Sequence, residues 1–492
     1  MAQRRRDRRG PPGERGAATM VEPHEVAVPD RSFSLLEGVI GAEAVAAARD
    51  RAASLRELLA GRVVWNINST ATGGGVAEML PSLIGYARDL GVETRWLVIE
   101  GIAPFFTLTK RMHHALHGAT GDGSPLGEAE RAVYEQVAAE NAAGVLEAVG
   151  PRDLVILHDP QTAGLAPHLA RAGIPTVWRC HIGSDASNEE VERGWAFLAP
   201  YLEAADAFVF TRQAYVPPLV ADREVMLIPP SLDPLTAKNE DLDGETVRAV
   251  LAHTGMVAGA SGGPVDFTGQ DGTPRRVERR AEVVRSGPLP AADVPLAVQV
   301  SRWDPLKDPI GVMNGFAAIA AETDAQLMLA GPDTSGVADD PEAAHVLEQT
   351  IEVWRGLPEA VRDRIHLVSL PTDDVEENAV MVNALQRHAA VIVQKSLQEG
   401  FGLTVTEAMW KGRPLLASAV GGIQDQIEDG RDGALLADPS DLAAYGTRLR
   451  ELLAQPERAE ALGRRARETV RERYLSVRHL AQYADLIERL EA

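Results

Sequence analysis

Two carboxylates, Glu399 and Glu407, stand on either side of a Gly-Phe-Gly sequence. The apolar, β-branched run at 390–393 predicts a buried strand before them, and the run at 406–410 begins a helical pattern. Unpaired N–H groups at a helix start attract phosphate oxygens, and carboxylates accept hydrogen bonds from hydroxyls. The stretch therefore predicts a site for a ligand with both hydroxyls and phosphates. An ordinary strand-to-helix connection with solvated carboxylates is the alternative.

A pair of cations, Arg302 and Lys307, is separated by a turn-forming Trp-Asp-Pro sequence. Because both lie on one loop, both can reach the same anion. Two cations over a diphosphate stabilise the charge that grows as a phosphate leaves. Basic pairs on a protein surface are also commonly just solvated, and the spacing alone leaves both interpretations open.

A glycine run, Gly73 to Gly75, follows a strand-like segment at 62–68 and leads into a helix-like segment at 76–86. Glycines allow the backbone to come close to a ligand. The run predicts a place where backbone amides meet a phosphate or a sugar ring, and a plain tight loop is the alternative.

Polar side chains also follow two other strand-like segments of this half. His158 and Gln161 end the segment at 153–157, and Arg179 and Asp185 lie at or after the end of the one at 176–179. Open α/β sheets bind ligands beyond the carboxyl ends of their strands. We expect His158 and Gln161 to bind sugar hydroxyls, with a structural histidine as the alternative. Arg179, His181 or Asp185 are weaker candidates for the same task.

A metal site is not expected at these positions. His181 and Asp185 are not part of a compact ligand cluster of known spacing, and Cys180 is the only cysteine of the chain. We therefore expect neither a metal nor another cofactor.

Strand-like and helix-like segments alternate along the chain, which is typical of parallel sheets with crossover helices. Two series of strands are predicted, at 62–68, 94–99, 153–157, 176–179 and 207–210, and then at 296–300, 326–329, 365–368, 390–393 and 414–417. The sequence thus predicts an α/β protein with two doubly wound, Rossmann-like domains facing a cleft. We expect a disordered basic tail at 1–30, an N-terminal domain at 31–235, a C-terminal domain at 236–470 with a mobile insertion at 255–290, and a helix at 471–492 that crosses back.

The overall composition excludes several classes of protein. The 492 residues carry a formal net charge of −22, which argues against nucleic-acid binding because phosphate backbones are bound by basic surfaces. No apolar run approaches the roughly 20 residues that span a bilayer. The single cysteine fits a reducing compartment. We expect a cytoplasmic protein with small-molecule partners, and a homodimer stays open.

The motifs together resemble a known family. Asn-Ile-Asn-Ser-Thr with the glycine run, His-Asp-Pro-Gln, Arg-Cys-His-Ile, Ser-Arg-Trp-Asp and Gln-Glu-Gly-Phe-Gly follow one another between about residues 65 and 433. This order resembles the retaining glycosyltransferases of GT-B fold and, within them, the trehalose glycosyltransferring synthases. The resemblance implies transfer of glucose from a nucleoside diphosphate glucose, bound by the C-terminal domain at 236–470, to free glucose, bound by the N-terminal domain at 31–235, which gives α,α-trehalose.

The resemblance also implies a role for each candidate residue. Glu407 matches the carboxylate that holds the ribose, and Glu399 matches the residue on the donor sugar's hydroxyls. The implied sets are catalytic His158, Arg302, Lys307 and Glu399; donor-binding Gly73, Gly74, Gly75, Phe401, Gly402, Leu403, Thr404 and Glu407; and acceptor-binding Gln161, Arg179 and Asp185. One departure stands at Asp308, where relatives commonly carry glycine after the lysine.

Two other functions remain open at the level of sequence. A trehalose phosphorylase shares the architecture but uses glucose 1-phosphate, which offers no ribose to Glu407. A non-catalytic sensor of sugar nucleotides would use the same cleft.

Overall fold

Two α/β domains, each built on a seven-stranded sheet, make up the chain in its computed structural model, which describes residues 22–259, 262–269, 272–334 and 341–491. All strands of each sheet are parallel except one antiparallel edge strand. The predicted pair of doubly wound domains is confirmed.

The first sheet has the order β1-β3-β2-β4-β5-β6-β7. All residues of its central strands are buried because helices cover both faces. The strands are β1 (His24–Glu25), β2 (Val64–Asn68), β3 (Thr94–Val98), β4 (Leu154–His158), β5 (Thr176–Cys180), β6 (Ala207–Phe210) and β7 (Glu224–Leu227). The helices are α1 (Glu37–Ile40), α2 (Ala42–Leu59), α3 (Gly75–Asp89), α4 (Ala103–Leu116), α5 (Glu128–Ala148), α6 (Asp159–Thr162), α7 (Ala166–Arg171) and α8 (Glu189–Leu202).

The second domain contains a small two-stranded sheet and a seven-stranded sheet of order β10-β13-β12-β11-β14-β15-β16. Its strands are β8 (Asp266–Thr268), β9 (Pro274–Arg276), β10 (Glu282–Val284), β11 (Leu296–Val300), β12 (Gln326–Pro332), β13 (Ile365–Leu370), β14 (Val391–Gln394), β15 (Leu415–Ser418) and β16 (Ala434–Leu436). The helices from here to the end of the chain are α9 (Gly244–Thr254), α10 (Pro309–Ile319), α11 (Pro341–Arg355), α12 (Glu359–Arg362), α13 (Val375–His388), α14 (Leu403–Trp410), α15 (Ile423–Gln426), α16 (Leu442–Ala454), α17 (Pro456–Arg473) and α18 (Ser476–Glu491).

The last helix, α18, returns to the first domain. Leu486 and Ile487 are buried in one cluster with Val64 and Ile156 of the first sheet. The helix therefore covers the sheet face that carries the side chains of alternate residues of β2, β4 and β5. None of the helices in the described ranges is both long and apolar enough to cross a membrane.

Two predicted segments differ from the structure. Residues 1–21 of the predicted tail lie outside the described residues, but β1 at His24–Glu25 pairs with β3 and Val28 is buried, so 22–30 belong to the first domain. The segment 255–290 was predicted to be a mobile insertion. Its described part instead contains β8 to β10, β10 pairs with β13, and Phe267 and Val277 are buried in the core of the second domain. Widely spaced apolar residues anchor this segment. Because they follow neither a helical nor a strand repeat, they were not recognised from the sequence.

Candidate active site

The Gly-Phe-Gly sequence forms a tight turn between β14 and α14. Gly402 has φ +88°, and a β-carbon there would lie 3.1 Å from Ile423 Cγ1 and 3.2 Å from Glu399 Cγ. Only glycine fits this left-handed, crowded position. The turn brings Glu399 to the cleft and leaves the first N–H groups of α14, at Leu403 and Thr404, without helical partners, as at any helix start.

Of the two predicted cations, Lys307 lies beside this turn. Lys307 forms an ion pair with Glu399, and both side chains are about one-seventh exposed, at 16% and 14%. Arg302 is 65% exposed and its only ion pair among the described residues is with Asp304 at 3.2 Å. Arg302 is therefore free to bind an anion without breaking a buried contact.

The unusual Asp308 after Lys307 is accommodated by the structure. Its φ is +49°, a left-handed value that explains why glycine suits this position. The Asp308 carboxylate accepts a hydrogen bond from the Gly311 backbone N–H at 2.9 Å, which caps α10, and it forms an ion pair with the buried Lys395. These contacts fix the loop that carries Lys307.

Glu407 lines an interdomain cavity of about 300 Å³ that also borders Gly73 and Leu403. Its Oε1 lies 2.8 Å from Lys238 Nζ, whereas its Oε2 is buried and has no hydrogen-bond partner in the described part of the chain. A buried carboxylate oxygen without a donor is costly, which makes it a strong acceptor for a ligand hydroxyl. Lys238 was not predicted from the sequence, because no local pattern marks it.

Lys238 links the two domains at this cavity. Its Nζ lies 3.1 Å from Glu78 of α3 as well as 2.8 Å from Glu407 of α14. Burial opposes the charge of Lys238, but the Glu407 and Glu78 carboxylates outweigh burial and raise its pKa. Lys238 therefore stays charged and holds one oxygen of Glu407 in place.

The glycine run meets the start of α14. A β-carbon at Gly75 would lie 2.8 Å from Leu403 Cδ1, whereas Gly73 and Gly74, with φ of +75° and +84°, have open space around them. Glycine is thus favoured by the backbone conformation at Gly73 and Gly74, and the Gly75 backbone lies close to the Leu403 side chain of the second domain. The loop lies opposite the first turn of α14 across the cleft.

His158 is brought near the site but not onto its surface. It is only 2% exposed, and its Nε2 lies 3.0 Å from Asn66 Oδ1 while its Nδ1 lies 3.2 Å from His181 Nε2. Burial, with the nearby Arg179 charge, lowers the pKa of His158 to about 3. The imidazole is therefore neutral near pH 7, and it supports His181.

This burial predicts a pH dependence of stability. The folded pKa of His158 is about 3, below the 6.5 of an unfolded histidine, so the unfolded state binds more protons between these values. The contribution of His158 to the free energy of unfolding is therefore fully present above about pH 6.5 and is lost as the pH falls towards 3. We expect the free energy of unfolding to drop from pH 7 to pH 5, with a contribution of about 2 kcal/mol from His158. Urea titrations at pH 7 and pH 5 measure this loss in the wild type and in His158→Asn. If the free energy of unfolding falls equally in both proteins, buried neutral His158 is not the cause.

Arg179 lies behind this histidine pair. It is 1% exposed, and it donates hydrogen bonds to His181 Nε2 at 2.9 Å and to Tyr483 Oη of α18 at 2.7 Å. Because α18 covers it, the structure does not bring Arg179 to the open cleft.

Two residues next to His158 and Arg179, namely Asp159 and the weaker candidate His181, are less deeply buried. Asp159 and His181 are partly exposed, and a β-carbon at Gly400 would lie 3.1 Å from the His181 carbonyl oxygen. Asp159 accepts a hydrogen bond from the His181 N–H at 2.7 Å and has φ +62°, a strained value that is uncommon outside glycine. Burial raises the pKa of Asp159 to about 7. Both lie in the motifs found in the sequence, but which residue of each motif points outward depends on the register of the sheet.

Gln161 and Arg302 line one further cavity of about 440 Å³ between the domains, together with His113 and Lys110 of α4. The structure therefore brings Gln161 close to the loop of the predicted cations. Asp185, by contrast, accepts hydrogen bonds from Gly421 N and Gln424 Nε2, both at 2.8 Å, and contacts the second domain directly. Within the described ranges, no group of three or more histidine, cysteine or acidic side chains is arranged to hold a metal ion.

Comparison with known proteins decides the family. Residues 66–217 match the family described as "Trehalose synthase, N-terminal domain", and residues 376–469 match "Glycosyl transferases group 1". A trehalose synthase of Rubrobacter xylanophilus is 37% identical over 438 residues, which are 88% of this chain and 92% of that protein. The chain belongs to the trehalose synthase family.

Other similarities extend beyond the trehalose synthase family. A trehalose phosphorylase of Pleurotus pulmonarius is 28% identical over 78% of this chain, which spans 51% of that longer protein. A solved α,α-trehalose-phosphate synthase (UDP-forming) of Burkholderia xenovorans has a TM-score of 0.65 at 14% identity, with 88% of this chain and 100% of that chain covered. At this identity the likeness shows the fold alone, and it confirms the predicted GT-B architecture.

Proposed function

We propose that this member of the trehalose synthase family transfers glucose from a nucleoside diphosphate glucose to free glucose, with retention of the α configuration. One observation carries the proposal: Glu407 lines the cavity that also borders Leu403 and Gly73, and its buried Oε2 has no hydrogen-bond partner among the described residues. A ribose hydroxyl satisfies this acceptor. The attached diphosphate then reaches the start of α14, where N–H groups and the helix dipole favour anions.

The charged groups beside the turn suit the rest of the donor. Arg302 and Lys307 bind the diphosphate and stabilise the charge that develops on it, which is where cations accelerate the reaction most. Glu399 accepts hydrogen bonds from the donor sugar's hydroxyls, and its ion pair with Lys307 couples sugar and phosphate binding. Phe401 anchors the turn in the core of the second domain, since it is 6% exposed and packs on Tyr474 with ring centres 5.8 Å apart.

The acceptor glucose is assigned to the first-domain side of the cleft. Gln161 lines the cavity that contains Arg302, so a sugar held there lies next to the departing phosphate. Asp159 and His181 add a partly exposed carboxylate and imidazole to the same wall. His158 and Arg179 support this wall from behind through their contacts with His181.

The reaction we propose takes place on one face of the donor sugar. The bond between C1 and the phosphate oxygen breaks, its electrons stay on the nucleoside diphosphate, and an oxocarbenium-like centre forms. The anomeric hydroxyl of glucose attacks C1 from the same face and passes its proton to the leaving phosphate oxygen. The products are α,α-trehalose and nucleoside diphosphate, and closure of the domains keeps water out.

The test is incubation of the purified protein with uridine, adenosine and guanosine diphosphate glucose, each with free glucose. We expect a disaccharide of trehalose mass that trehalase digests, formed with at least one of these donors. Absence of that product with every donor, in a protein that binds nucleoside diphosphates, would favour a non-catalytic sensor.

A phosphorylase is the second candidate, because a trehalose phosphorylase is among the relatives. It would release glucose 1-phosphate from trehalose and inorganic phosphate, and it would not need the ribose contact of Glu407. Phosphate-dependent breakdown of trehalose without any nucleotide would favour it over the synthase.

A further inference from the structure

Tyr215 of the first domain reaches across the cleft to the turn that carries Glu399. Its hydroxyl lies within hydrogen-bond distance of the carbonyl oxygens of Glu399, at 3.0 Å, and Gly400, at 2.8 Å, and can donate to either. The side chain is 3% exposed, so water does not replace these contacts while the domains touch. One residue of the first domain thereby fixes the backbone on which Glu399 is mounted.

The position of Tyr215 depends on a glycine. A β-carbon at Gly183 would lie 2.1 Å from Tyr215 Cγ, so the ring lies directly on the Gly183 backbone. The Gly183 carbonyl is in turn 3.0 Å from His117 Nδ1. Because its support is rigid, Tyr215 holds the turn at a set distance from the first domain.

A second set of contacts holds the 421–422 loop, which lies beside the Tyr215 hydroxyl and the turn. The Gly421 N–H donates to Asp185 Oδ2 at 2.8 Å, and the Gly421 carbonyl accepts from Arg212 Nη1 at 2.6 Å. Arg212 Nε also lies 2.8 Å from Asp425 Oδ2. Asp185 and Arg212 belong to the first domain, whereas Gly421 and Asp425 belong to the second.

Gly421 passes this restraint to the turn through close packing. It has φ +50°, and a β-carbon there would lie 1.7 Å from the Glu399 carbonyl oxygen. The neighbouring Gly422 N–H donates to the Gly400 carbonyl at 3.1 Å. The turn therefore packs against both the Tyr215 hydroxyl and the adjacent 421–422 loop, and first-domain residues contact each of them.

From these contacts we infer that Tyr215 is a positioning residue for Glu399, and that Asp185 and Arg212 form an interdomain clamp that completes its position. Opening of the cleft breaks the contacts of Tyr215, Asp185 and Arg212 with the second domain at once, so the backbone that carries the sugar-binding carboxylate is fully held only when the domains are closed. The inference rests on the proposed function, in which Glu399 binds the donor sugar. It also gives Asp185 a role other than acceptor binding.

The kinetic test is Tyr215→Phe, which keeps the ring on Gly183 and removes only the hydroxyl. We expect kcat to fall about tenfold, as expected for one lost positioning hydrogen bond, with the KM for the nucleotide sugar unchanged. The nucleotide contacts at Glu407 do not involve Tyr215. The matched control is Tyr201→Phe, whose hydroxyl accepts from Arg131 and donates to Glu135 within the first domain, and it should keep wild-type kinetics.

Asp185→Ala separates the clamp from the acceptor-binding role. A clamp residue lowers kcat and leaves the KM for glucose near wild type, whereas an acceptor-binding residue raises the KM for glucose. A higher glucose KM with an unchanged kcat would overturn this part of the inference.

Amide exchange gives a readout that does not require turnover. In the nucleotide-free protein, Tyr215→Phe should speed hydrogen–deuterium exchange at the Gly421 and Gly422 amides, and Tyr201→Phe should not. Wild-type exchange in Tyr215→Phe, or faster exchange with an unchanged kcat, would overturn the positioning role. If the wild-type protein makes no trehalose, the proposed function fails, and exchange alone still decides whether Tyr215 and the clamp hold the turn.

Discussion

Replacing Arg302 by alanine should lower kcat/KM for the nucleotide sugar by about 100- to 1,000-fold, the loss typical of one group that stabilises transition-state charge. Arg302 is 65% exposed and pairs only with Asp304 among the described residues. Its loss should therefore change the free energy of unfolding by no more than about 0.5 kcal/mol, as at other exposed positions. Steady-state kinetics and a urea titration of the same preparation measure both effects.

Arg431 provides a matched control for this substitution. It is 61% exposed, pairs with Glu428 on the surface of the same domain, and lines neither of the two interdomain cavities. Arg431→Ala should keep wild-type turnover. If folded Arg302→Ala also turns over at the wild-type rate, Arg302 does not bind the diphosphate.

The second large effect is expected at Glu407. Glu407→Ala removes the acceptor for ribose hydroxyls, and a hydrogen bond to a charged group is typically worth about 10- to 100-fold in affinity. We expect the dissociation constant for free nucleoside diphosphate to rise by that factor. Isothermal titration calorimetry measures it directly, without turnover.

Glu78→Gln controls for the disturbance of Lys238. Lys238 pairs with both Glu78 and Glu407, so a change that acts through Lys238 should appear in both variants. We expect Glu78→Gln to bind the nucleotide nearly as wild type does. An unchanged nucleotide affinity in Glu407→Ala would instead favour the phosphorylase, which has no ribose to hold.

The sequence predicted the buried strands well and the edge strands poorly. The strands at 207–210 and 296–300 agree with β6 and β11, because continuous apolar runs mark strands that helices cover on both faces. The strand β7 was missed because its residues are only half-buried, and β10 because it adds antiparallel to an edge. Burial of an edge strand depends on the partner that covers it, which the local sequence does not contain.

In the candidate site, too, some features were predictable from the local sequence and others were not. The turn around Glu399 and the loop of Lys307 were located from local patterns, since glycines and charges at strand ends have local causes. Which side chains face the cleft depended on distant parts of the chain. Arg179 ends a strand as expected, but α18, three hundred residues further on, covers it. Lys238 and Tyr215 act across the domain boundary, and neither lies in a motif that sequence reasoning detects.

The most direct test of the central claim follows the donor's anomeric carbon. Nucleoside diphosphate glucose, labelled with carbon-13 at C1 and of α configuration, is incubated with unlabelled glucose, and the product is examined by NMR. We predict that the label enters one ring of α,α-trehalose, with the one-bond carbon–hydrogen coupling of an α anomer, as nucleoside diphosphate is released. Label found only in free glucose, or in a β-linked disaccharide, would contradict transfer with retention to a glucose acceptor.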